Sequence, residues 1–114
     1  MSQDCLFCRI AAGEIPSDKV FENERIFAFR DINPVAPVHI LVIPKEHIES
    51  IAHVEDDHQA LLGEIMTVIR DLAHEENLEK GYRVVANIST HGGQTVPHLH
   101  FHLIGGRSLQ WPPG

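Results

Sequence analysis

The stretch Thr95-Val96-Pro97-His98-Leu99-His100-Phe101-His102-Leu103-Ile104-Gly105-Gly106-Arg107 decides how the chain is read. His98, His100 and His102 alternate with Leu99, Phe101 and Leu103, a period of two that predicts a strand closed by the glycine pair. Successive side chains leave a sheet on opposite faces, so the imidazoles fall on one face about 7 Å apart while hydrocarbon enters the core. Aligned histidines repel one another when charged and lack the packing value of valine or isoleucine. Such a row points to chemistry, and two kinds fit it: a metal site or phosphoryl transfer.

Working outward, residues 82–88 alternate well enough to form a half-buried strand. They lead into 89–94, where Gly92-Gly93 can expose consecutive backbone N–H groups as an anion-binding nest. The nearly unbroken apolar run 38–44 predicts a central strand covered on both faces. His39 is then buried, either as a satisfied core residue or as a partner behind the triad. Residues 19–22 and 25–31 predict a hairpin ending at Asp31, and the two prolines of 33–37 make the next loop stiff.

Leu61, Leu62, Ile65, Met66, Ile69, Leu72 and Ala73 recur at three- and four-residue steps, which predicts an amphipathic helix over 56–77, with Gly81 closing that region. A short helix is expected over 4–13, with Asp4 as N-cap, Gly13 beyond its end, and Phe7, Ile10 and Ala11 on one side. A helical turn is expected at 48–52. His53, His58 and His74 read as surface residues. Trp111-Pro112-Pro113 suits neither a helix nor a central strand, so Trp111 is expected to pack elsewhere, against a partner subunit.

With 114 residues, 43% of them apolar, the chain has room for one core, and a single domain over 1–114 is expected. The formal charge of −7 argues against a nucleic-acid partner, which a basic surface would serve. No apolar run is long enough for a membrane span and the N-terminus lacks signal-peptide character, so a cytoplasmic protein is expected. The lone Cys5-x-x-Cys8 reads as a metal half-site or a redox pair.

A neutral imidazole attacks phosphorus, while neighbouring imidazoles and donors such as Asn87 and Thr95 stabilise oxygens or the leaving group. None of this needs a basic surface.

The chain resembles the histidine-triad (HIT) nucleotide-binding superfamily. The resemblance rests on the triad itself, the Cys/Phe-rich start, Phe29-Arg30-Asp31-Ile32-Asn33-Pro34, His39-Ile40-Leu41-Val42-Ile43-Pro44-Lys45, His91-Gly92-Gly93-Gln94, Gly105-Gly106-Arg107 and Trp111-Pro112-Pro113-Gly114. These segments look most like the Hint branch of purine nucleoside phosphoramidases and nucleotidyl hydrolases. The resemblance implies an α+β, HIT-like fold with an antiparallel sheet of about five strands, one long helix and one short one. It also implies a homodimer with one sheet continuous across both subunits, and a tail, 108–114, reaching the partner's site.

By the same resemblance His100 is the nucleophile that takes up a nucleoside monophosphoryl group. His98 and His102 orient and stabilise it, and His39 lies behind them. Asn87, Gly93, Gln94 and Thr95 fall where the family holds phosphate and leaving group, Asp31 where it holds the ribose, and Phe7, Ile10, Phe29, Ile32 and Leu41 where it holds the purine. Implied partners are AMP or GMP and their phosphoramidates and anhydrides. The alternatives are a dinucleoside polyphosphate hydrolase or transferase, and a nucleotide-binding adaptor with incidental catalysis. The chemistry needs no cofactor. Many bacterial members hold a structural zinc, here implied at Cys5, Cys8, His47 and His98. The chain departs from the Hint pattern at Thr95, where Ser is common, and at Pro97, where an aromatic residue is common.

Overall fold

A computed structural model describes residues 4–114. The expected domain start at residue 1 lies outside the described residues. The elements are α1 (Leu6–Ala11), β1 (Lys19–Glu22), β2 (Ile26–Arg30), β3 (Val38–Pro44), α2 (Gln59–Glu75), β4 (Tyr82–Val85) and β5 (Phe101–Gly105). The five strands form one antiparallel sheet in the order β1-β2-β3-β5-β4. This is the α+β arrangement that the sequence implies.

The period of two sorts the strands into two apolar layers. Ile26, Ala28, Ile40, Val42, Phe101 and Leu103 turn toward Leu61, Ile65, Val68, Ile69 and Leu72 of α2. Phe27, Phe29, Leu41 and Ile43 turn the other way and pack with Cys5, Phe7, Cys8 and Ile10 of the α1 segment. The sheet is therefore covered on both faces, and β3 reads as continuous hydrocarbon for that reason. Leu103 is fully buried between β3, β4 and α2. Leu103→Ala is expected to lower stability by about 3 kcal/mol through lost transfer energy and the cavity left behind. Urea denaturation with an unchanged slope and a reduced midpoint would show it.

Several local expectations are corrected. The N-cap of α1 is Cys5 rather than Asp4: the Cys8 N–H meets the Cys5 Sγ at 3.3 Å. The helix closes as expected at Gly13, whose φ of +80° allows its N–H to reach the Ile10 carbonyl while the Glu14 N–H reaches that of Arg9. Helix α2 is shorter than 56–77, because Asp56–His58 is a 3₁₀ turn leading into it. Asn77, not Gly81, ends it, at φ +61° and with the Leu78 N–H on the Ala73 carbonyl. Val68 is buried and Met66 exposed, which places Met66 on the flank of the stripe.

His58 is no bystander. Its Nδ1 accepts the Glu55 N–H at 3.0 Å and its Nε2 lies 3.0 Å from Glu46 Oε2, so it ties the turn to the loop after β3. His53 and His74 are exposed as expected. The turn expected at 48–52 is the 3₁₀ segment Ile51–His53, capped by Ser50.

Strand β4 stops at Val85, and β5 begins only at Phe101, so His98 and His100 precede the strand instead of lying within it. Pairing with β3 ends at Val42 opposite Phe101. Beyond that point the Leu99 N–H goes to the Ile48 carbonyl at 2.6 Å, and the Pro44 carbonyl is taken by the His98 ring.

Candidate functional site

The triad side chains lie on the sheet face covered by α1. His98 and His100 are buried, and His102 is partly open. Phe7 stands edge-on to the His100 ring, with centroids 5.0 Å apart and planes at 89°. Phe29 in turn packs edge-on to Phe7 at 5.5 Å. Among the described residues, every buried side-chain nitrogen or oxygen has a hydrogen-bond partner, and where that partner is a backbone carbonyl it places the imidazole's proton.

A carbonyl oxygen only accepts. His100 Nδ1 lies 2.6 Å from the His98 carbonyl, so Nδ1 carries the proton and Nε2 keeps its lone pair. His98 Nε2 lies 2.8 Å from the Pro44 carbonyl and donates to it. The bare Nδ1 of His98 faces two sulfurs, Cys5 Sγ at 3.2 Å and Cys8 Sγ at 3.4 Å. His47 Nδ1 completes the cluster 3.3 Å from Cys8 Sγ, and one ligand atom from each of the four residues lies within 4.8 Å of the others. Both cysteines are free thiols.

Desolvation by burial, reinforced by His47 and His100, pushes His98 down to about 4. Burial also lowers His100, against the pull of its bond to the His98 carbonyl. Burial and the neighbouring Cys5 push the Cys8 thiol up to about 11.

Burial, with His100 and His39 beside it, likewise pushes His102 down to about 4. A histidine in the unfolded chain takes up a proton near pH ~6.5. The stability that neutral His102 contributes is therefore present above about pH 6.5 and is lost as pH falls toward its folded value. Denaturation midpoints across this acidic window are expected to fall with pH, and to fall less in His102→Gln.

The remaining expected site residues fall in two groups. Phe7, Ile10, Phe29 and Leu41 form one buried apolar group, whereas Ile32 stands apart at 90% exposed. Leu6 lies exposed one helical turn before Ile10. Asp31 Oδ2 lies 3.5 Å from His39 Nε2, and that nitrogen lies 2.9 Å from His102 Nδ1. The nest expected at Gly92-Gly93 is not formed: the Gly93 and Gln94 N–H groups close a turn onto the carbonyls of Thr90 and Ser89. Gly92 is required there, since a Cβ would fall 2.3 Å from the Ile88 carbonyl oxygen. Asn87 donates to the Gly92 carbonyl at 2.7 Å, Gln94 donates to those of Glu49 and Val96, and Thr95 is exposed.

Fold and site together define an α+β protein centred on a row of three imidazoles, one backed by a Cys/His cluster and one by a buried histidine. Comparison with known proteins gives this class a name. Residues 4–110 match a family described as scavenger mRNA decapping enzyme C-term binding. The chain is 53% identical over 114 residues to an uncharacterized HIT-like protein of Synechococcus elongatus, covering 100% of both. It is 49% identical over 111 residues to a 14 kDa zinc-binding protein of Zea mays, covering 96% of this chain and 87% of that one. The crystal structure of a HIT family hydrolase from Legionella pneumophila superposes with a TM-score of 0.96 at 54% identity, covering 97% of this chain and 100% of that one. The chain belongs to the histidine triad family. Among its described residues no helix is long and apolar enough to cross a membrane.

Proposed function

We propose that this chain hydrolyses purine nucleoside phosphoramidates and related nucleotidyl substrates through a covalent nucleotidyl-His100. The observation that carries the reading is the 2.6 Å bond from His100 Nδ1 to the His98 carbonyl, which leaves Nε2 with a free lone pair. That lone pair attacks the α-phosphorus and the P–N bond to the amine breaks. The departing amine takes its proton from water. The ring of the intermediate is cationic, with phosphorus on Nε2 and hydrogen on Nδ1, and the His98 carbonyl stabilises that charge. Water then attacks phosphorus and gives up one proton to solvent, the P–Nε2 bond breaks, and the nucleoside monophosphate and a neutral His100 remain.

Phe7, Ile10, Phe29 and Leu41 supply the apolar side of the purine slot, with Ile32 and Leu6 at its exposed margin. Asp31 holds the ribose hydroxyls, and its Oδ1 is oriented by the Asn33 N–H at 2.8 Å. Asn87, Gly93, Gln94 and Thr95 line the phosphate and leaving-group side; for Asn87, Gly93 and Gln94 this requires exchanging carbonyl partners for phosphate oxygens. The subunits pair as a homodimer, with Trp111, 80% exposed in the single chain, packing near the partner's site. The location is cytoplasmic.

Cys5, Cys8, His47 and His98 fit a structural zinc by the chemistry of the donor set, two sulfurs and two imidazole nitrogens. Tetrahedral bonds of ~2.3 Å to sulfur and ~2.0–2.1 Å to nitrogen imply S···N separations of about 3.5 Å. The separations of 3.2 to 3.4 Å lie close to that. The zinc-binding description of the maize relative supports the same reading. Bound there, the ion would hold the thiols as thiolates and tie α1 to the loop after β3 and to His98.

Turnover of two substrates, with binding of AMP, tests the reading. Faster hydrolysis of an AMP-lysine phosphoramidate than of diadenosine polyphosphates is expected. The reverse order would assign a polyphosphate hydrolase, and tight AMP binding without turnover of either would assign an adaptor.

A further inference from the structure

His102 donates or accepts at the site according to which of its nitrogens holds the proton, and that choice is made some distance away. The Val35 N–H donates to His39 Nδ1 at 3.2 Å, so that nitrogen is bare and His39 carries its proton on Nε2. His39 Nε2 lies 2.9 Å from His102 Nδ1 and donates to it, although Asp31 Oδ2 at 3.5 Å competes for the same hydrogen. His102 Nδ1 is thereby an acceptor, and its proton sits on Nε2.

What holds Val35 in place is not its own packing, since its side chain is 57% exposed. Arg107 Nη2 donates to the Val35 carbonyl at 2.9 Å, and its Nη1 donates to the Ser108 carbonyl at 3.1 Å. Beside it Gly106, at φ +94°, lets Pro37 approach so closely that a Cβ would fall 2.9 Å from the proline Cβ. The other end of the loop is tied by the Asp31 N–H on the His39 carbonyl at 2.9 Å.

We propose that Arg107 is a positioning residue: by clamping the Val35 carbonyl it presents the Val35 N–H to His39, and so fixes His102 as the tautomer with its proton on Nε2. The use of that N–H rests on the phosphoramidase reading, in which a phosphoryl oxygen of the bound substrate needs a hydrogen-bond donor. The tautomer itself does not. His102 is neutral at physiological pH, so tautomer rather than charge decides what it offers.

The test is nitrogen NMR on the full chain labelled with ¹⁵N-histidine, which distinguishes protonated from bare ring nitrogens. In the native sequence His39 and His102 are both expected to carry hydrogen on Nε2; hydrogen on Nδ1 of either ring would overturn the proposal. In Arg107→Ala the Nδ1–H form of His102 is expected to appear, with kcat lowered on the order of tenfold and KM little changed. Arg107→Lys, which keeps a donor, is expected to restore both. Arg107→Met, which keeps the aliphatic stem, replaces the alanine variant if that one fails to fold. Native tautomers at both rings in the truncated variant would overturn the proposal. The tautomer readout needs no substrate, so failure to form nucleotidyl-His100 would remove the functional reading and leave this one standing.

Discussion

His100→Ala is expected to lower hydrolysis of an adenosine phosphoramidate by about 10⁴-fold, as loss of a nucleophile does elsewhere. AMP affinity is expected to change by no more than a few fold, because the apolar group of Phe7, Ile10, Phe29 and Leu41 and the carboxylate of Asp31 are untouched. The asymmetry follows from geometry. His100 is the triad ring whose Nδ1–H is anchored on a carbonyl, leaving Nε2 without a hydrogen-bond partner among the described residues. His98 gives one nitrogen to Pro44 and turns the other to sulfur, and His102 spends Nδ1 on His39. Removal of His102 is therefore expected to cost less than removal of His100. Residual turnover within tenfold of the native rate in His100→Ala would place the reacting group elsewhere.

Loss of the Cys/His cluster is expected to have the largest effect on stability. Structural zinc sites bind with roughly 10–16 kcal/mol, whereas whole domains are stable by only about 5–15 kcal/mol. The cluster also joins three parts of the fold: α1 through Cys5 and Cys8, the loop after β3 through His47, and the approach to β5 through His98. Cys8→Ala, or prolonged chelation of the native protein, is expected to abolish zinc measured by elemental analysis and to lower the melting temperature by more than about 10 °C. A purified protein without zinc, whose melting is indifferent to chelator, would make the thiols ordinary buried core residues. Turnover is expected to fall with stability, because His98 both faces the sulfurs and supplies the carbonyl that fixes His100.

The layers of this fold are legible in the sequence wherever burial is periodic. The stripe from Leu61 to Ala73 and the continuous run of β3 each report a local environment, and each formed close to its expected place. The alternation around the triad placed the three imidazoles on one face correctly while overstating the strand, because periodicity records which way side chains point. It does not record where the backbone N–H groups go. Leu99 pairs with Ile48 and the His98 ring takes the carbonyl of Pro44, partners some fifty residues away with no local signature.

The same limit explains the turn at Gly92-Gly93. Two glycines permit an exposed run of N–H groups, but the carbonyls of Ser89 and Thr90 close the turn instead. Cys5 as a cap, His58 as a bridge and Arg107 as a clamp were invisible for a related reason. Each acts through a backbone group or a distant partner, and composition marks none of them.

The central claim is that His100 Nε2 bonds to phosphorus during turnover. Rapid acid-free quenching after mixing with an adenosine phosphoramidate, followed by intact-mass measurement and fragmentation, reads it directly. A transient adenylyl group on His100, absent in His100→Ala and decaying at the rate of AMP release, is the expected result; steady turnover with no protein-bound nucleotide, or with the group on another residue, would contradict it.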